Sequence, residues 1–165
     1  MALNASTTLP FDVGTVLGVF TDEGFVRHMS EYVGGTLESL TVDGDTASAF
    51  TLTAVRTMPT SKLPDMARKF VGETLSVTQI EHWSAPQADG SRQADLTMTV
   101  ANVPLNVTAV QRLVAQGTET VVDLQGNVTS SIPFLGGKIA GAAEPMIGKA
   151  LNVQATEARA WLENH

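Results

Sequence analysis

The sequence predicts an α+β fold in which an antiparallel sheet of six to seven strands is followed by one long C-terminal helix. Three observations support this prediction. Thr and Val, whose branched Cβ atoms suit a pleated sheet, contribute 38 of the 165 residues. Apolar and polar residues alternate along the middle of the chain, as expected for strands with one buried face. The last 30 residues change to the period of a helix.

Two short helices are predicted near the N-terminus. Apolar residues recur at helical spacing over Phe11–Val19, and a short strand at Ser6–Leu9 would precede that helix. Thr21 and Asp22 are typical N-cap residues for a second helix, which the pair Gly34-Gly35 ends. The chain therefore reaches the sheet through two successive helices.

Six strands of the predicted sheet follow these helices. Asp43-Gly44-Asp45 is a hairpin signal between the first two strands, Thr36–Val42 and Thr46–Arg56. The other alternating segments are Lys69–Trp83, Ala94–Val103, Leu105–Ala115 and Thr118–Ser130. Because most of the links between strands are short, neighbouring strands are predicted to be antiparallel.

The C-terminal helix is predicted from the spacing of apolar residues between Leu135 and Leu162. At about 1.5 Å per residue this helix spans roughly 40 Å, whereas a strand of ten residues spans only about 33 Å. The helix can therefore cross the whole sheet. Pro145 and Gly148 are expected to bend it or to loosen one turn.

Composition excludes several classes of function. Lys and Arg number 10 and Asp and Glu number 17, so the formal net charge is -7, which argues against binding to nucleic acid or to anionic lipid surfaces. The chain has no cysteine, and no two histidines stand at metal-ligand spacing, so we expect neither a metal nor a cofactor. The most apolar stretch, Ile132–Leu151, carries three charges, so we expect no integral membrane segment.

The chain is expected to form one domain over residues 1–165. Its first residues show neither a basic region nor an apolar region of the kind found in secretion signals, so we expect a cytoplasmic protein. The sequence leaves the oligomeric state open.

The order of the elements, together with three motifs, resembles the helix-grip fold of the START-like superfamily, which includes the polyketide cyclases and the birch-pollen-allergen-like proteins. The motifs are Phe20–Phe25 between the first helices, Glu81-His82-Trp83 in a central strand, and Ile132–Ile139 before the long helix. As a set they resemble an uncharacterised actinobacterial branch of that superfamily. The resemblance implies a curved sheet that wraps around the C-terminal helix and leaves an elongated apolar cavity between them.

A cavity of this kind favours binding of an apolar or amphipathic small molecule, such as a lipid-, isoprenoid- or polyketide-like compound. The small residues of the long helix, including Gly141 and Ala142, leave space under a strongly coiled sheet. The side chains that we expect to line the cavity are Phe50, Leu52, Trp83, Met98, Val107, Leu124, Met146 and Ile147.

Some polar residues are in phase with apolar ones on the predicted strands. Glu81 and Gln79 lie two and four residues before Trp83, so all three point to the same face of the predicted strand. Gln111 likewise shares a face with the apolar residues that alternate along its strand. These residues either face the cavity, with Arg56 or Arg112 as partners of the carboxylate, or reach solvent at strand ends. The first case allows a cyclase- or dehydratase-type enzyme in which Glu81, Gln111 and Arg112 are the candidate catalytic residues and Glu81 is the acid or base.

A third function class, a protein-interaction module, ranks last because the sequence offers no obvious exposed apolar patch. The histidines add little. His28 is expected to form an exposed pair with Glu31 on a helix, and His82 points outward if Trp83 points inward.

Overall fold

The structure, a computed structural model, describes residues 2–61, 65, 68–69, 72–101, 103–130 and 136–164. The first half of the motif Ile132–Ile139 and the terminal His165 lie outside the described residues. The described strands and helices, in chain order, are β1 Ala2–Leu9, α1 Val13–Phe20, α2 Glu23–Tyr32, β2 Thr36–Asp43, β3 Phe50–Pro59, β4 Thr74–Trp83, β5 Arg92–Val100, β6 Val103–Gln116, β7 Glu119–Ser130 and α3 Gly136–Asn164.

The strands form one antiparallel sheet of seven in the order β1-β7-β6-β5-β4-β3-β2. From β2 to β7 each strand pairs with the next one along the chain, as short links require. The opening strand β1 pairs with β7, from Ala2 opposite Asn127 to Leu9 opposite Thr120. The predicted α+β architecture is therefore confirmed, with β1 as the seventh strand.

Both N-terminal helices begin after an aspartate cap. The sequence predicts the cap at Asp22, whereas α1, predicted from Phe11, begins at Val13 after the unpredicted cap Asp12. The Asp12 side chain accepts a hydrogen bond from the Thr15 N–H at 2.8 Å, and the Asp22 side chain accepts one from the Phe25 N–H at 3.0 Å. Each bond satisfies one of the N–H groups that a helix start leaves unpaired. Gly34, with φ 91°, supplies the left-handed turn after α2.

Two strands begin later than the sequence predicts. The strand expected from Thr46 begins at Phe50, because Arg92 holds the preceding loop by donating hydrogen bonds to the carbonyl oxygens of Thr46 and Ser48. The strand expected from Lys69 begins at Thr74, and Lys69 itself is helical. Periodicity over a few residues does not distinguish the start of a strand from the turn or helical segment before it.

Helix α3 has 29 residues and continues through Pro145, which is exposed. Its main approaches are to β1 and β7 at one side of the sheet and to α1 and α2. The buried residues Ala140, Ala155 and Ala158 lie on one helical face, which α3 turns to the sheet. Within the described part of the chain, no helix is both long enough and apolar enough to cross a membrane.

The apolar interior is divided along the length of the strands. At one end α1, α2 and the last turns of α3 pack on β3, β4, β6 and β7, and we call this the main cluster; its residues include Phe25, Phe50, Trp83, Leu113, Val122, Ala155 and Ala158. At the other end is a smaller group, the distal cluster, formed by Leu105, Val107, Val128 and Ala140 with the partly buried Met98, Val100 and Val103.

Candidate functional site

A glutamate lies in the middle of the face that the sheet turns to α3. The strand register places Glu81 directly between Leu52 of β3 and Leu96 of β5, and both leucines are buried. Gln79 and Trp83, the neighbours of Glu81 on the same face of β4, are buried as well. With only 4% of its surface exposed, Glu81 is a carboxyl group in an apolar environment.

Hydrogen bonds connect this glutamate to α2 through a chain of side chains that we call the buried polar network. The two Glu81 oxygens accept hydrogen bonds from Trp83 Nε1 at 2.9 Å and from Gln79 Nε2 at 2.5 Å. Arg56 Nη1 donates to Gln79 Oε1 at 2.9 Å, and Arg56 Nε donates to Ser30 Oγ at 2.8 Å. The Gln79 side chain therefore accepts one hydrogen bond at its oxygen and donates one from its nitrogen, which fixes the orientation of its amide.

The network sets the protonation of its charged members. Burial raises the pKa of Glu81 above its ordinary value, and the hydrogen bonds from Trp83 and Gln79 and the charge of Arg56 offset only part of that rise. Burial lowers the pKa of Arg56, which the charge of Glu81 partly restores. A carboxyl group with a raised pKa that faces an interior is suited to hold or transfer a proton.

The distal cluster has partly exposed members. Met98, Val100 and Val103 are only partly buried although they lie on the interior face. The polar network lies between the two clusters, beside a third buried group formed by Leu96, Ala109 and Leu124. Trp83 belongs to the main cluster, Glu81 is opposite Leu96, and Gln79 is opposite Met98 of the distal cluster. An apolar surface that is open at one end and ends at polar groups suits an amphipathic molecule.

A second polar contact connects the sheet to α3. Gln111 Nε2 on β6 donates a hydrogen bond to Gln154 Oε1 on α3 at 3.4 Å. Both glutamines border a cavity of about 30 Å³, which is also lined by Ala5, Ser6, Thr7, Val122, Leu124 and Ala155. A cavity of this volume has room for about one water molecule.

Two further polar atoms are buried without any hydrogen-bond partner among the described residues. They are Oγ of Ser130, at the end of β7, and Oε2 of Glu144, in the first half of α3. Buried polar atoms in native proteins are nearly always hydrogen-bonded, so each of these atoms requires an explanation.

Most of the residues predicted to line a cavity share the interior face. Phe50, Leu52, Trp83, Val107 and Leu124 are buried on that face and Met98 is partly buried there. The side chains of Met146 and Ile147 lie outside the described residues. Of the three candidate catalytic residues, Glu81 and Gln111 point inward.

Arg112 does not join Glu81. It follows Gln111 on β6 and therefore points to the outer face of the sheet, where its Nη1 lies 3.6 Å from Asp123 Oδ2. Of the two arginines considered as partners of Glu81, only Arg56 lies in the network. A prediction from strand parity alone would have separated Arg112 from Gln111, because adjacent residues of a strand face opposite ways.

The histidines take different positions. His82 is exposed on the outer face, where its Nδ1 lies 3.1 Å from Thr51 Oγ1, as strand alternation predicts. The pairing of His28 with Glu31 is wrong: His28 Nε2 contacts Glu157 Oε1 of α3 at 3.0 Å. The tertiary packing of α2 against α3 decides this contact, which spacing within one helix does not reveal.

Sequence reasoning missed Ser30, Ser130 and Glu144. A serine on the buried side of a helix gives no signal until its partner Arg56 is placed beside it. Glu144 could have been found from the helical period, since it is four residues after the buried Ala140. The described residues contain no group of three or more His, Asp or Glu side chains that could hold a metal ion.

Solved structures with little sequence identity share this architecture. TTHA0849 from Thermus thermophilus superimposes with a TM-score of 0.58 at 13% identity, covering 96% of this chain and 94% of the other. Norcoclaurine synthase from Thalictrum flavum, solved in complex with dopamine and hydroxybenzaldehyde, gives a TM-score of 0.51 at 13% identity and covers 100% and 88%. The protein thus has the helix-grip fold, as its sequence predicts.

Sequence comparison identifies the family. Residues 4–162 match the family described as "Protein of unknown function (DUF2505)", and the chain belongs to it. A mycobacterial relative, Uncharacterized protein Rv0481c of Mycobacterium tuberculosis (strain ATCC 25618 / H37Rv), is 25% identical over 134 residues, which cover 79% of this chain and 76% of the relative. The predicted uncharacterised actinobacterial branch is therefore confirmed.

Proposed function

We propose that the protein binds an apolar or amphipathic small molecule of lipid-, isoprenoid- or polyketide-like character between the sheet and α3. The observation that carries this proposal is the position of the buried polar network, which ends the partly exposed apolar surface of the distal cluster. An apolar chain can lie along Met98 and Val107 while a polar end reaches Gln79 and Glu81. The complex of norcoclaurine synthase with dopamine and hydroxybenzaldehyde, in a protein of the same fold, supports small-molecule binding by this fold.

A bulky side chain on the interior face tests the proposal. Titration of the uncharged dye Nile red is expected to show saturable binding to the wild-type protein, and Met98→Trp is expected to weaken that binding by about tenfold because the indole occupies the ligand's space. Thr97→Trp is the matched control, since Thr97 is exposed on the outer face one residue earlier. Native mass spectrometry of protein purified from cells is expected to show a co-purifying ligand.

The proposal fails if the wild-type protein neither takes up Nile red nor carries a co-purified mass. It also fails if Thr97→Trp weakens dye binding as much as Met98→Trp does, because the dye would then bind the outside of the sheet.

The second candidate is an enzyme of the cyclase or dehydratase type in which Glu81 is the acid or base. One observation favours it: Glu81 faces the interior, and its raised pKa keeps a proton available at higher pH than an exposed glutamate would. In this reaction Glu81 protonates the hydroxyl group that leaves as water, and its carboxylate removes a proton from the adjacent carbon.

A synthetic poly-β-ketone thioester is a suitable probe for this activity. The wild-type protein is expected to convert it to a cyclised or dehydrated product seen by mass spectrometry, and Glu81→Gln is expected to lower the rate by about 10²-fold or more. Nile red binding by the same variant is the control for an intact site. Conversion at the wild-type rate by Glu81→Gln would exclude Glu81 as the catalytic group.

A further inference from the structure

Two buried polar atoms in the structure lack a hydrogen-bond partner among the described residues, Ser130 Oγ and Glu144 Oε2. Such atoms lose their hydrogen bonds with water on folding and form none in the protein. This loss costs the most free energy for a carboxylate oxygen, because it is charged. The missing partners can be supplied from outside the chain.

Both side chains face the space between the sheet and α3. Ser130 lies two residues after the buried Val128, so both point to the same face of β7, and the register places Ser130 opposite the buried Leu105. Ala140 packs against Leu105 and Val128 in the distal cluster. Glu144 follows Ala140 by one helical turn and therefore lies on the same face of α3.

The charge of Glu144 is not compensated by any ion pair in the described part of the chain. The acidic residues that do form ion pairs there are Glu23, Asp65, Asp123, Glu157 and Glu163. Two other charged groups of this interior, Glu81 and Arg56, offset each other through Gln79. A third, Arg92 at the start of β5, donates its hydrogen bonds to backbone carbonyl oxygens. Among the described residues, the Glu144 carboxylate therefore has no ion-pair partner beside this apolar surface.

We propose that Glu144 and Ser130 form a subsite for the protonated amine of an amphipathic ligand, whose apolar part lies along the distal cluster. This inference rests on the proposed function, since it names the chemical class that the same interior accepts. An ammonium group only donates hydrogen bonds, and both unpartnered oxygens can accept them. Its positive charge also compensates the carboxylate, which an alcohol does not do.

Three probes of equal chain length separate the contribution of the head group from that of the apolar tail: n-decylamine, 1-decanol and decanoate. In competition with Nile red, decylamine is expected to bind the wild-type protein about tenfold more tightly than decanol, and decanoate more weakly than either. Glu144→Gln is expected to weaken decylamine binding by about tenfold and to leave decanol binding nearly unchanged.

The control variant is Glu163→Gln, which makes the same chemical change at an exposed position of the same helix. Because it removes the same net charge, it separates a local contact from general attraction of amines to an acidic protein. It is expected to leave the affinities of all three probes unchanged.

A stability measurement separates a ligand subsite from a structural role. Without ligand, Glu144→Leu is expected to raise the Tm by about 2–4 °C, because it removes a carboxylate oxygen that is buried without a hydrogen-bond partner among the described residues. A lower Tm would show that Glu144 has a stabilising partner within the fold and would overturn the inference.

Equal affinities for decylamine and decanol, unchanged by Glu144→Gln, would also overturn the inference, since the two oxygens would then be satisfied by water alone. In that case the binding of decanol would still support the proposed function. Failure of Nile red and all three probes to bind would instead remove the proposed function itself.

Discussion

At the residue scale, Glu81 is a carboxyl group that bears on both the folding stability of the protein and its proposed function. Leu52 and Leu96 enclose it from the neighbouring strands, while Trp83 and Gln79 each give one of its oxygens a hydrogen bond. Replacing such a group with an apolar residue of similar shape is often neutral or favourable for folding. A buried polar network at this position therefore suggests a task other than stability.

The raised pKa of Glu81 predicts how the free energy of unfolding depends on pH. The folded protein holds this proton more tightly than the unfolded chain does, so the stabilisation is fully present below the unfolded pKa and is lost as pH rises through the folded pKa. Urea unfolding at about pH 4 and about pH 8 is expected to show that Glu81→Gln gains stability relative to the wild type at the higher pH.

The comparison between the two pH values cancels any constant effect of the new amide on packing. Glu119→Gln, which makes the same chemical change at an exposed position of β7, is the control and is expected to leave the difference between the two pH values unchanged. A wild-type protein that gains stability relative to Glu81→Gln as the pH rises would contradict the prediction.

At the element scale, close approach between β6 and β7 depends on one glycine. A Cβ atom on Gly126 would overlap the backbone oxygen of Thr108 and the side chain of Ala109 on the neighbouring strand. Backbone atoms cannot move aside as a flexible side chain can, so β7 would have to shift. Gly126 thus permits the local shape of the sheet under α3.

Gly126→Ala is expected to lower the free energy of unfolding by about 1–3 kcal/mol, as measured by urea denaturation. Gly137→Ala is the matched control, because a Cβ atom at this exposed helical position meets nothing within 4 Å. The control is expected to be neutral or to stabilise the protein by up to about 1 kcal/mol. Equal effects of the two substitutions would show that the strands adapt more easily than the contacts indicate.

At the scale of the whole molecule, we propose that residues 1–165 form one cooperative domain. Helix α3 contacts both the sheet and the N-terminal helices, and Trp161 near its end packs against Phe25 of α2 with ring centroids 5.8 Å apart. Trp83 lies in β4, within the same main cluster as Phe25. No element of this arrangement buries its apolar face without the others.

Coincident unfolding of sheet and helix tests that proposal. In Trp161→Phe the remaining tryptophan, Trp83, reports on the sheet, while far-UV circular dichroism reports largely on α3. The two transitions in urea are expected to have the same midpoint. Loss of the helical signal while Trp83 fluorescence stays native would show that α3 unfolds as a separate unit.

The order of elements was predictable because each element has its own local signal. The cap at Asp22, the alternation along β5 and β6 and the helical period after residue 135 all arise from short-range geometry. Parity on β4 also placed Glu81, Gln79 and Trp83 on one face. The start of β3 was not predictable, because Arg92, far away in the chain, decides where the preceding loop ends.

The sequence by itself determined which residues share a face of each strand or helix, because side-chain direction repeats every 2 residues in a strand and every 3.6 in a helix. Which faces meet depends on the packing of whole elements. That packing joins Arg56 to Gln79 and Ser30, pairs His28 with Glu157, and turns Glu144 toward the sheet, where its buried oxygen has no partner among the described residues. Contacts of this kind depend on how separate elements pack, and no local periodicity encodes the distance between them.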